Sequence, residues 1–173
     1  MVIWLIGLSG AGKSTIGRLL ADQLRQTHEN LVYLDGDDLR DVWGDSPGHT
    51  IEGRAINAQR ISHLCRLLDS QGIHVITAIL SIFPEWQAWN RETFTKYHEV
   101  FLDVPLEVVQ ERDDKGLYGA ARNASMGNVV GVDIPFPKPS NPDLVLRPPE
   151  VLESPEAVTC RVLESLPSFE AGD

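Results

Sequence analysis

Between Gly7 and Thr15 the chain reads GLSGAGKST, directly behind the apolar run VIWLI at 2–6. No other stretch constrains the fold as tightly. Gly7, Gly12, Lys13 and Ser14 match the spacing G-x-x-x-x-G-K-[ST]. Glycines let the backbone curl until successive N–H groups point at phosphate oxygens, and a helix starting at the loop's end presents its positive pole to them. Such a loop works only between a strand and a helix, and both flanks comply. VIWLI has the continuous apolar character of a strand buried on both faces. Beyond Lys13, the residues Ile16, Leu19, Leu20 and Leu24 recur at helical spacing. Gly7, Ser9, Gly10, Ala11, Gly12, Lys13, Ser14 and Thr15 are therefore the expected cradle for ATP. Lys13 reaches the β- and γ-phosphates, and the Ser14 hydroxyl sits on Mg²⁺.

Strand and helix signals keep alternating downstream. LVYLD (31–35), IHVITAIL (73–80), EVFLDV (99–104) and the short DLVL (143–146) read as further strands. Helices are expected over 51–70, from about 85 to 96, from Pro105 onward, and over 154–166. Alternating β and α elements with short connections imply a five-stranded parallel sheet with helices on both faces, a three-layer α/β sandwich. Ligands bind such sheets at the carboxyl ends of the strands, which directs attention to Gly7–Ser14, Asp35–Asp38, Ser81 and Asp103.

At 173 residues the chain fits one domain with a proper core. Its 25 carboxylates against 15 Lys and Arg give a formal charge of −10, which argues against a nucleic-acid or anionic-membrane surface. Cys65 and Cys160 have neither metal-ligand spacing nor a disulfide framework, so buried thiols in a reducing cytosol are expected. No targeting segment and no apolar run of membrane-spanning length stands out, and a cytoplasmic location is the expectation.

Binding ATP does not say where the phosphoryl group goes. The segment at about 113–130 loses periodicity and carries Arg112, Lys115 and Arg122 in or beside RDDKGLYGAAR (112–122). It suits a lid, which excludes water and offsets phosphate charge during transfer. The reading is a P-loop kinase with a lid, and SFEAGD (168–173) is a frayed tail. In LDGDDLR (34–40), Asp35 closes a strand beside the loop, where it can orient the metal. Asp37 can take a proton from an acceptor hydroxyl, and Arg40, one helical turn on, suits an anionic acceptor.

The phosphate loop, LDGDDLR, the RDDKGLY lid and GVDIPFPKPSNPDLVL (131–146) occur together and in order. In these segments the chain resembles the adenylyl-sulfate kinase family, which transfers the ATP γ-phosphate to the ribose 3'-hydroxyl of adenylyl sulfate. The resemblance implies that Asp37 is the base and that Asp35 lies near the metal. Arg40, Arg54 and Asn57 would hold the acceptor, with Lys115 closing from the lid. Ser81 corresponds to a family serine often labelled a phosphoserine; direct in-line transfer needs no such step, and Ser81 is expected to hydrogen-bond a ligand.

Departures from the family pattern cluster on the acceptor side. Gly48-His49-Thr50 stands for G-F-S, Val129 and Val130 fall where an aromatic is expected, and Leu80-Ser81-Ile82-Phe83-Pro84 replaces I-S-P-[YFH]-R. Gly119 and Ala120 replace a Lys pair. The lost Phe pair sandwiches adenine in the family, which makes His49 and Val129 candidate acceptor contacts. By resemblance, a branch of cytidine diphosphoramidate kinases carries similar GHT and LSIF segments. Adenylyl sulfate is thus the expected acceptor and a pyrimidine nucleotide the alternative. A catalytically silent nucleotide-binding regulator and a kinase of uncharged small molecules are the more distant readings. The resemblance leaves a homodimer open. Trp86 and Trp89, three apart, are expected in the core or at a dimer contact, and His63 and His74 in no metal site.

Overall fold

The computed structural model describes residues 1–44, 47–113, 116–123 and 125–168. Five parallel strands, β1 (Val2–Ile6), β2 (Leu31–Asp35), β3 (His74–Ile79), β4 (Tyr97–Leu102) and β5 (Leu144–Leu146), lie in the order β2-β3-β1-β4-β5. VIWLI is wholly buried because it runs down the sheet's centre, Trp4 pairing with Thr77 on one side and Glu99 on the other. Alternation then sends its side chains to opposite layers. Ile3 and Leu5 join the cluster holding Leu20, Val158 and Val162, whereas Val2, Trp4 and Ile6 join Leu39, Ile61, Cys65 and Phe94.

The helices cover both faces. They are α1 (Lys13–Leu24), α2 (Gly36–Trp43), α3 (Ile51–Asp69), α4 (Pro84–Thr93), α5 (Leu106–Arg112), α6 (Leu117–Arg122) and α7 (Pro155–Ser165). Side-chain caps open α2, α3 and α7. The Asp35 carboxylate accepts the Asp37 N–H at 3.0 Å to open α2, and the Thr50 hydroxyl accepts the Gly53 N–H at 3.1 Å to open α3. Gly12 precedes α1 at φ 90°, a left-handed conformation natural to glycine, so the phosphate loop turns directly into the helix.

The expected five-stranded parallel architecture stands, and several details differ, among them an unexpected helix, α2, over 36–43. The fourth strand lies at 97–102 rather than 99–104. Its predecessor helix ends at Thr93, and the Lys96 carbonyl accepts the Val2 N–H at 2.8 Å, drawing the chain early into pairing with β1. The segment expected to act as a lid contains a helix, α6, too short to show a period. It is held by Asp113, whose carboxylate accepts the N–H groups of Tyr118 and Gly119 at 3.0 and 2.7 Å. Those bonds hold the Asp113 carboxyl below its usual range. Cys65 is buried as expected, but Cys160 is exposed. No helix of the described residues is long and apolar enough to cross a membrane.

Candidate active site

The carboxyl ends of β1, β2 and β3 open into a cavity of about 390 Å³. On one side Ser9, Gly10, Gly12, Lys13, Ser14 and Thr15 form the wall. The Lys13 ammonium folds back onto its own loop and donates to the Leu8 carbonyl at 2.7 Å. Gly7 and Ala11 support the loop from behind, outside the wall. At Gly7 a Cβ would come within 2.9 Å of the Leu102 carbonyl oxygen, so the loop's first turn lies directly on β4.

Asp35 and Asp37 also line the cavity. Asp35 is buried, and its Oδ2 accepts the Ser14 hydroxyl at 2.6 Å and the Tyr33 hydroxyl at 2.8 Å. Burial, reinforced by Asp35, pushes the Tyr33 phenol well above its usual pKa. Asp37 is exposed to the cavity, with the Arg40 Nε 3.7 Å from its carboxylate. One carboxylate is thus fixed beside the serine, while the next reaches open space one residue into α2.

The far side of the cavity carries Arg40, His49, Arg54, Asn57 and Ser81. Arg54 bridges the rim, donating from Nε to the His49 carbonyl at 2.9 Å and from an Nη to the Asn128 carbonyl at 2.8 Å. Burial, then the neighbouring Arg40, lowers the Arg54 pKa. Partial burial, then Arg40 and Arg54, lowers that of His49, which favours a neutral ring at the exposed rim. Asn57 is 5% exposed, and neither polar atom of its amide has a hydrogen-bond partner among the described residues. Ser81, two residues beyond β3, has a left-handed backbone conformation, φ 45°, with the Gln87 amide donating to its carbonyl and hydroxyl at 3.4 Å.

Several expected residues fall elsewhere. Val129 is 1% exposed in the core, and its neighbour Val130 takes the place on the cavity wall. Arg112 lies outside the wall, over the phosphate loop, with an Nη 3.4 Å from the Gly10 carbonyl. Lys115 lies outside the described residues. Trp86 is half-buried on the wall beside Phe83 rather than in the core, its ring centroid 5.7 Å from His63 and 5.5 Å from Trp89. Sequence reasoning gave no role to Tyr118, although KGLY was in view. Its hydroxyl donates to the Ser9 carbonyl at 3.0 Å, tying α6 to the phosphate loop, and burial pushes its pKa up to about 12. Tyr33, an ordinary aromatic on an apolar strand, was missed for lack of any motif.

The chain is similar to proteins of known activity. The family model for adenylylsulphate kinase matches residues 1–147. A cytidine diphosphoramidate kinase of Campylobacter jejuni is 41% identical over 145 residues, covering 84% of each chain. An adenylyl-sulfate kinase of Bacillus pumilus is 40% identical over 147 residues, covering 84% of this chain and 75% of the relative. In three dimensions the chain is similar to the Mycobacterium tuberculosis APS kinase solved with AMPPNP and APS. That match has a TM-score of 0.85, 34% identity and 95% coverage of both chains.

Proposed function

The chain belongs to the adenylyl-sulfate kinase family, and from that premise we propose that it uses MgATP to phosphorylate the ribose 3'-hydroxyl of a nucleotide carrying a 5'-diphosphate-like group. One observation carries the reading: a single cavity has the phosphate loop on one wall, Arg40, Arg54 and Asn57 on the other, and Asp37 exposed between them. In the proposal the loop amides and Lys13 hold the β- and γ-phosphates, with Arg112 above Gly10. The donor set beside them, the Ser14 hydroxyl and the Asp35 carboxylate, suits Mg²⁺, which takes few protein oxygens and completes its shell with phosphates and water. Bound there, Mg²⁺ would neutralise charge on the transferring phosphoryl group.

The acceptor lies across the cavity. Its 3'-oxygen attacks the γ-phosphorus in line, the bond to the β–γ bridging oxygen breaks, ADP leaves, and the hydroxyl proton passes to Asp37. Arg40 and Arg54 pair with the diphosphate-like group. The Asn57 amide, buried with donor and acceptor both unpartnered, supports this side as the ligand-binding wall, because such a group is costly unless a ligand completes it. Lys115 would add charge from the lid. The cytoplasm, where ATP is supplied, is the proposed location.

Adenylyl sulfate is the family acceptor. A cytidine diphosphoramidate-type acceptor is the second reading, favoured by the rim. His49 keeps one stacking plane, and Val130 stands on the wall where the family pattern has an aromatic, with Phe83 and Trp86 elsewhere on it. An aromatic stack contributes about 1–3 kcal/mol per base, so its loss changes which base is held while leaving the phosphate chemistry in place. Incubation with γ-labelled ATP and nucleotide acceptors tests the common claim. Label that a 3'-nucleotidase removes from the product supports it; label elsewhere on the acceptor contradicts it.

A further inference from the structure

We propose that Tyr33 is a positioning residue for the metal end of this site, holding Asp35, and through it Ser14, in the orientation that receives Mg²⁺. The inference rests on the MgATP reading above. Tyr33 and Asp35 are two apart on β2 and share a face of the sheet. The phenol and the Ser14 hydroxyl donate to the same carboxylate oxygen, Asp35 Oδ2, at 2.8 and 2.6 Å. The Asp37 N–H occupies Oδ1 at 3.0 Å. Held at both oxygens, the carboxylate has a fixed plane.

That plane governs Ser14. A serine hydroxyl has one proton, and while it is given to Asp35 the oxygen lone pairs are left for a cation. Were the carboxylate to rotate, the proton could turn toward the metal and oppose it. The phenol itself is held in place by α1. A Cβ at Gly17 would stand 2.6 Å from the Tyr33 Cε2, so the ring lies flush on the helix that begins with Lys13 and Ser14. The Tyr33 hydroxyl is also 3.4 Å from the Ser14 carbonyl oxygen. Gly17, Tyr33, Asp35 and Ser14 thus form a continuous chain of contacts from helix to strand to metal site, of the kind that orients metal ligands from outside.

The test measures ATP binding without any acceptor, by displacement of a fluorescent ATP analogue in EDTA and across a Mg²⁺ titration. Tyr33→Phe keeps the ring and removes the hydroxyl. It should leave ATP affinity in EDTA unchanged and raise the Mg²⁺ midpoint by about 10-fold, the lower end for losing an outer-shell partner. Gly17→Ala, which displaces the ring, should shift the midpoint in the same direction and add little when combined with Tyr33→Phe, since both act through one hydrogen bond. An unchanged midpoint in Tyr33→Phe, or an equal loss of affinity in EDTA and Mg²⁺, overturns the inference while leaving the kinase reading intact. A wild-type protein whose ATP affinity ignores Mg²⁺ contradicts the metal reading itself, and this inference with it.

Discussion

Gly53→Ala reverses the sign that helix propensity alone would give. Gly53 lies in the first turn of α3, where alanine is ordinarily better by about 1 kcal/mol. Here an added Cβ would overlap the Pro47 carbonyl oxygen, with the Pro47 carbonyl carbon at 2.8 Å and the Gly48 oxygen at 3.0 Å. All three are backbone atoms, so no side-chain rotation relieves the contact and the loop before α3 must move. Overpacking of this kind costs about 1–3 kcal/mol, and a weakened Thr50 cap adds about 1 kcal/mol. After subtracting the propensity gain, the net loss is about 1–3 kcal/mol, or about 2–12 °C in Tm for a chain of this length. The same loop carries His49, whose carbonyl accepts from Arg54, so the acceptor KM should rise while the ATP KM stays put. Calorimetry with steady-state kinetics at varied acceptor and varied ATP reads both effects. A raised Tm with unchanged kinetics would refute the close packing of this loop on α3.

Three further outcomes follow from the site. Asp37→Asn should lower kcat by about 10²–10⁴-fold, the usual worth of a general base, with both KM values little changed in steady-state assays; a loss confined to KM would make Asp37 a binding group. Arg54→Ala should raise the acceptor KM by about 10–100-fold, from a charged hydrogen bond of about 1.5–3 kcal/mol, and Arg54→Lys should recover part of it; an unchanged KM would point to an uncharged acceptor. Folding lowers the pKa of His49, His74 and His98 below the ordinary 6.5, in each case chiefly by burial. Stability is therefore fully present above 6.5 and is lost as the pH falls toward the folded values, because the unfolded chain binds protons first. Tm should drop on mild acidification, less steeply in His49→Gln, and a flat profile for the wild type would contradict the lowered imidazole pKa values.

Much of this was legible in the sequence because the signals were local. A glycine-rich loop between an apolar run and a periodic helix announces itself, as does an Asp-Gly-Asp turn at a strand end. The core faces of β1 and α1 follow from spacing. What stayed hidden depends on distance in space. Val129 and Val130 are neighbours, and only the turn that closes through the Gly131 N–H and the Ile134 carbonyl decides which faces the cavity. Trp86 reads like a core tryptophan at helical spacing, and it meets the cavity because the Ser81 turn throws the start of α4 toward it. Helix α6 is too short for periodicity, and its hold on the loop runs from Tyr118 to Ser9 across 109 residues of sequence. Tyr33 matters through bonds to Asp35 and packing on Gly17, neither of which a strand pattern can express.

The central claim is that the phosphoryl-transfer machinery is that of the family while the acceptor rim is altered. The direct measurement is kcat/KM for adenylyl sulfate and for cytidine diphosphoramidate in parallel, with MgATP and with Asp37→Asn as the control. We expect 3'-phosphorylation of at least one of them, slowed about 10²–10⁴-fold in the control, with the cytidine compound preferred where His49 and Val130 have rebuilt the base site. ATP bound tightly with neither compound phosphorylated would contradict that claim.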